Sequence, residues 1–144
     1  MPFTNLKEFR FPEDEELQAN FLIQWQNYHS IDHQTFTHFL SELAKHFNLP
    51  PITTNAHLLQ FNPIDVTDFN RFLWENDKEH KIMIDMFNTI GMKLDFPIVM
   101  KPRLNIVRMV TGFNKKEMDL FLLEEYKLHL LLGRAMDVLA ESLK

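Results

Sequence analysis

The chain has no cysteine among its 144 residues and only three glycines. It also has no uninterrupted apolar run near the ~20 residues of a membrane span. The missing cysteine excludes disulfides and thiolate metal sites and is compatible with a reducing compartment. Few glycines and no strongly alternating run of apolar and polar residues argue against a β architecture. The opening stretch MPFTNLKEFRFPEDEEL lacks the basic and apolar regions of a secretory signal, so a cytoplasmic location is expected. Basic residues are outnumbered, 15 Lys and Arg against 20 Asp and Glu, for a net charge of −5. A nucleic-acid partner normally calls for a basic stripe, and none is expected here.

What the chain does have is 14 Phe and eight Met. Phe supplies buried area and Met adapts to irregular shapes, so the mixture suits a large core, a pocket or an oligomer interface. The expected fold class is all-α, in one domain over 1–144 with an N-terminal arm over 1–11, without internal repeat or linker. PEDEELQANFLIQWQNYHSI reads as a first helix, with its acidic start on the positive end of the dipole. Asp32 reads as the N-cap of a second helix ended by Pro50-Pro51. PITTNAHLLQFNPIDV is ambiguous, with a short helix around Ala56–Gln60 as one reading. One long helix follows from about Asp65, or two if ENDKEHK breaks it. PIVMKPRLNIVRMVTGF reads as a further helix, and Asn114 caps the last one with Glu117 as capping-box partner.

Seven histidines invite a metal reading. His29 and His33 are spaced to share an ion on one helix, but a helix boundary at Ser30-Ile31-Asp32 spoils that register. No HExxH or Glu-x-x-His pair completes a set, so no metal is expected. His80 stands where a haem ligand would, yet the charged NDKEHK around it reads as a solvated face, so no haem is expected. The acidic runs EDEE and EE read as solvated helix ends. With no nucleophile elbow and no phosphate-binding loop, nothing argues for an enzyme. Arg103, Arg108, His129 and Arg134 sit inside apolar patterns; they read as surface charges, or as contacts to a ligand carboxylate.

The last helix, ending EEYKLHLLLGRAMDVLAESL, is apolar nearly all round, the mark of a buried helix. In a domain of this size one side is expected to meet the core and the other a second copy; the alternative is a central helix wholly wrapped by its own chain. Leu128, Leu131, Leu132, Ala135, Met136 and Leu139 are the candidate dimer face.

FLIQWQNYHSI, IGMKLDFPIVMKPRLNIVRMV and LHLLLGRAMDVLAESL, taken in order, resemble the non-haem globin sensor domains. These stand at the N-terminus of stressosome regulators and in stand-alone sporulation-inhibitory homologues of Bacillus sensor-kinase sensor domains. The resemblance implies a globin-like fold without haem and a homodimer built by the last two helices as a four-helix interface. It implies an apolar cavity for a fatty acid with a halide ion nearby, and a non-enzymatic regulator of a sporulation sensor histidine kinase. The cavity is expected among Phe21, Trp25, Phe39, Leu43, Phe72, Met86, Phe87, Ile90, Ile106 and Met109, with Arg108 or His129 as the polar contact. The alternative is an interaction protein with a filled core and no ligand.

Overall fold

The computed structural model describes residues 4–95 and 109–143. Among them are three helices, α1 (Glu15–His46), α2 (Val66–Lys93) and α3 (Lys115–Ser142), and no strand. Each helix starts on a side chain that accepts from an otherwise orphaned backbone N–H. Asp14 takes Glu16 N at 3.0 Å, Asp65 takes Asp68 N at 3.2 Å and Asn114 takes Glu117 N at 2.9 Å. The expected capping box is altered. The Glu117 carboxylate accepts from Asn114 Nδ2 at 2.6 Å and from Thr111 N at 3.1 Å. The expected helix over PIVMKPRLNIVRMVTGF lies largely outside the described residues.

Several local expectations are corrected. No boundary falls at Ser30-Ile31-Asp32, because α1 runs through it, and Asp32 is a buried mid-helix residue rather than a cap. That helix ends at His46, before the two prolines, with Asn48 in the left-handed region at φ 55. ENDKEHK does not break α2: its charges lie mostly on the outer side, where Lys78 pairs with Glu75 at 3.6 Å. Residues 56–60 form turns closed by Leu58 N to Asn55 O and Leu59 N to Ala56 O, not a helix.

All three helices run in the same direction. Trp25 meets Phe72 and Phe121, with ring centroids 6.1 and 5.3 Å away. Two turns on, His33 meets His80 and His129, at 4.9 and 5.0 Å. Beyond these, Phe36, Phe87 and Met136 share one core cluster. Residue numbers therefore rise together along the three helices. A parallel bundle requires the chain to return the length of each helix, about 48 Å for α1 at 1.5 Å per residue. That explains a connection far longer than the two to eight residues usual between antiparallel neighbours.

The segment 47–65 makes this return as irregular chain punctuated by turns. Leu49 N bonds Ala44 O, Ile52 O accepts from Ser41 Oγ, and Thr54 reaches Glu79. Gln26 then brackets the Phe61 backbone at 3.0 and 3.1 Å. The N-terminal arm descends α1 in the same sense. Thr4 and Asn5 bond Asp32, Phe9 stacks on Tyr28, and Phe11 packs edge-on to Phe21.

Superposing the three helices on their caps reveals an internal repeat, contrary to the expectation of none. FLIQWQNYH, FLWENDKEH and FLLEEYKLH occupy corresponding places in α1, α2 and α3. The pattern is Phe-Leu, six residues, then His. Each His stands fifteen residues after its cap, in Asp14 to His29, Asp65 to His80 and Asn114 to His129. Periodicity of this order is the signature of one supersecondary unit used repeatedly. Here the unit is an N-capped helix that presents one apolar stripe, with its histidine on the same stripe. Leu22, Leu73 and Leu122 form one buried layer, and His29, His80 and His129 another. Between them lies the layer of Trp25, Asn76 and Glu125, all buried.

The polar layers divide the core in two. One cluster includes Trp25, Phe69, Phe72 and Phe121; the other includes Phe36, Leu40, Phe87, Ile90 and Leu139. Leu132, Ala135, Met136 and Leu139, expected to face a second copy, are buried inside this chain's own core. The two-sided apolar character of α3 is thus used within one chain, against α1 on one flank and α2 on the other. Leu131 is 44% exposed and Leu128 partly buried.

Candidate metal centre

Four histidines meet at the axis of the bundle. His29, His33, His80 and His129 are all buried, and one ring nitrogen from each lies within 4.8 Å of the others. Their Nε2 atoms point inward. His80 Nε2 is 3.2 Å from both His33 Nε2 and His129 Nε2. Glu125 Oε2 joins them, 3.2 Å from His29 Nε2, 3.4 Å from His129 Nε2 and 3.7 Å from His80 Nε2.

The shortest of these separations, 3.2–3.4 Å, match the edges of a coordination polyhedron, and the wider pairs would close in round a bound ion. Ligands about 2.1 Å from one ion stand roughly 3.0–3.4 Å apart when adjacent and about 4.2 Å apart when opposite. Hydrogen bonds alone serve the cluster poorly. His80 Nε2 faces two other Nε2 atoms and a carboxylate oxygen, and a single N–H can satisfy one of them.

Outer groups orient the rings. His129 Nδ1 donates to Asp32 Oδ2 at 2.8 Å. Asp32 is held in turn by Thr4 Oγ1 at 2.6 Å, Asn5 N at 2.6 Å and Asn5 Nδ2 at 3.0 Å. His33 Nδ1 donates to Glu79 Oε1 at 2.7 Å, and Thr54 Oγ1 donates to the same oxygen at 2.6 Å. A carboxylate behind a histidine fixes its tautomer and raises its basicity, the usual support of a metal-ligating imidazole. Aromatic rings close the site from both ends. Trp25 stacks on His29 at 4.8 Å and Phe36 meets His129 edge-on at 5.8 Å.

Burial sets the protonation. It pushes the His29, His33 and His80 pKa values down, that of His80 to about 3, so these rings are neutral with free lone pairs at pH 7. Burial opposes a charge on His129 too, but hydrogen bonds to Asp32 and Glu125 outweigh it and carry His129 up to about 9. Burial likewise opposes ionisation of Glu125 and Asp32. The histidines around Glu125, and His129, Thr4 and Asn5 around Asp32, overcome that penalty and hold both carboxyls below their ordinary range. Asp32 and Glu125, both ionised, thus face one imidazolium, while burial raises the pKa of Glu79, the carboxyl behind neutral His33. A divalent ion that displaced the His129 Nε2 proton would balance both charges, which is the low-cost arrangement for a buried site.

The donor set is four imidazoles and one carboxylate without sulfur. Imidazole suits zinc, copper, iron and nickel, whereas magnesium and calcium prefer all-oxygen cages.

The histidines were visible in the sequence but misplaced. His80 is 3% exposed despite its charged neighbours, and His129 is fully buried. Glu125, half of an acidic pair read as solvated, is 6% exposed. His29 and His33 are four apart on one unbroken helix, so their register is intact. His38, five residues on, lies outside on the exposed side of α1. The threefold Phe-Leu-x6-His pattern is the signal that would have singled out three of the four histidines.

The residues expected to line one apolar cavity are not brought together. Trp25 and Phe72 lie in one core cluster, with Phe21 packed on it; Leu43, Phe87 and Ile90 lie in the other, with Phe39 and Met86 packed on that. Met109 is 73% exposed, just before α3. Ile106 and Arg108 lie outside the described residues. Phe39 borders an open groove of about 800 Å³ between α1 and α3, with Ile31, His38 and Met136. No helix is long and apolar enough to cross a membrane among the described residues.

Comparison with known proteins finds no matching family model, curated protein or solved structure.

Proposed function

We propose that this chain is a metalloprotein whose core binds one divalent first-row transition ion through His29, His33, His80, His129 and Glu125. The observation that carries the reading is the convergence of four buried Nε2 atoms and one buried carboxylate oxygen at ligand-edge distances. Three further features support it. The imidazoles are kept neutral by burial, carboxylates stand behind His33 and His129, and the repeat delivers one histidine per helix to the same level. Burying so many ionisable groups costs stability unless something holds them together, and an ion does so.

Equilibrium dialysis against a metal buffer tests this. We expect one equivalent of ion for the wild type, below a tenth for His80→Ala or His129→Ala, and one equivalent for His57→Ala, an exposed loop residue. Equal binding by all four proteins would sink the proposal.

A second reading keeps the lipid ligand that the family resemblance implies. Its support is the groove bordered by Ile31, Phe39 and Met136, which is mostly apolar at its walls. Fatty-acid binding there predicts that Phe39→Asp removes lipid carried through purification and leaves metal binding intact. Regulation of a kinase, and assembly as a homodimer, would be outward-facing properties added to the centre.

A further inference from the structure

The metal reading leaves two buried groups unused. Asn76 is fully buried, yet neither its Nδ2 nor its Oδ1 has a hydrogen-bond partner. His80 Nδ1, one turn further along α2, also has none. A buried amide with both atoms idle is costly and calls for an explanation.

The repeat supplies one. Asn76 in α2 corresponds to Glu125 in α3: each precedes the helix's histidine by four residues, on the buried stripe. Glu125 reaches the cluster directly, its Oε2 lying 3.2–3.7 Å from three histidine Nε2 atoms. An asparagine side chain is one methylene shorter, about 1.5 Å at carbon–carbon bond length. From the corresponding backbone position its amide stops short of an ion that the Glu125 carboxylate touches. One small molecule would bridge that difference in reach, and the amide can both donate to it and accept from it. The third residue of that layer, Trp25, is apolar on the side that stacks on His29, which leaves Asn76 as the polar wall.

Resting on the metal reading, we infer that the centre keeps one coordination position for a small exogenous ligand, water or hydroxide at rest and a small anion in its place, hydrogen-bonded by the Asn76 amide. Five protein ligands then leave a sixth position on the side of Trp25 and Asn76. A site of this kind can exchange ligands, whereas a closed structural site cannot.

The test uses the full chain loaded with Co(II), whose visible bands report coordination, and azide as the probe. For the wild type we expect one equivalent of cobalt and a saturable spectral change with azide. For Asn76→Leu we expect full cobalt loading and azide binding at least about tenfold weaker, as for loss of a hydrogen bond to a charged group. For Asn76→Gln, whose amide is long enough to reach the ion itself, we expect cobalt bound and the azide response lost. Stoichiometric cobalt with no azide response in the wild type overturns the inference and leaves the metal centre standing. Unchanged azide affinity in Asn76→Leu also overturns it. So does loss of cobalt from that variant, which would make Asn76 a ligand or a support of His80. Failure of the wild type to bind cobalt overturns the centre and this inference together.

Discussion

Raising the pH should destabilise the metal-free protein by an amount set largely by His129. Its folded pKa is about 9 against an ordinary 6.5, because Asp32 and Glu125 hold the imidazolium. For a raised pKa the stabilisation is complete below 6.5 and disappears as the pH climbs through 9. At 1.36 kcal/mol per pKa unit, the part lost between pH 7 and 9.5 is about 2 kcal/mol. His29, His33 and His80 add nothing there, because burial already keeps them neutral and their unfolded forms are neutral above pH 7.5. Urea unfolding in the presence of a chelator, followed by circular dichroism, reads this directly. With a slope of about 2 kcal/mol/M, the midpoint should fall by roughly 1 M across that range. His129→Gln should abolish the fall. So should a bound metal ion, because it takes the place of the Nε2 proton. A midpoint that does not move between pH 7 and 9.5 in the metal-free wild type would refute the charged Asp32–His129–Glu125 arrangement. An equal fall in the metal-loaded protein would refute the exchange of proton for metal.

Asp32→Asn should cost about 3–5 kcal/mol by leaving a buried imidazolium short of its partner. It should also loosen the arm, read as faster tryptic cleavage at Lys7 and Arg10, both exposed beside the Asp32 contacts. Phe72→Ala, in the buried Phe-Leu pair of α2, should cost about 3–5 kcal/mol by thermal unfolding, whereas its exposed neighbour Trp74→Ala should stay within about 0.5 kcal/mol. Leu132→Asp should unfold the chain, since that side chain is wholly buried, while Leu131→Asp should leave it folded. A folded Leu132→Asp by circular dichroism would contradict the core assignment.

The helix ends were legible because they are local. Asp65 and Asn114 announce themselves as caps beside apolar stripes, and their hydrogen bonds are made within three residues. The long return segment was partly legible: Pro50, Pro51 and Pro63 forbid a continuous helix there, but where it runs is fixed by bonds to the helices, Phe61 to Gln26, Thr54 to Glu79 and Leu58 to Arg71. The centre was the hardest part to read. Asp32 at a presumed junction looks like a cap, and its true partners are 27 and 97 residues away. His80 amid NDKEHK looks solvated, since composition cannot tell which side of a helix a charge occupies. Counting the stripe through the polar residues resolves it, because His29, Asp32, His33 and Phe36 recur at helical spacing on the buried face of α1. Comparing the three helices with one another would have gone further, since each carries Phe, Leu and His at the same offsets.

X-ray absorption at the metal edge of the loaded protein tests the central claim most directly. Four imidazoles and one carboxylate should give a shell of five or six nitrogen and oxygen scatterers near about 2.1 Å, with the outer-shell scattering of several imidazole rings and no sulfur. In His80→Ala that imidazole signal should drop or the metal be lost. A shell of oxygens alone, or a spectrum unchanged in His80→Ala, would contradict a centre built from His29, His33, His80, His129 and Glu125.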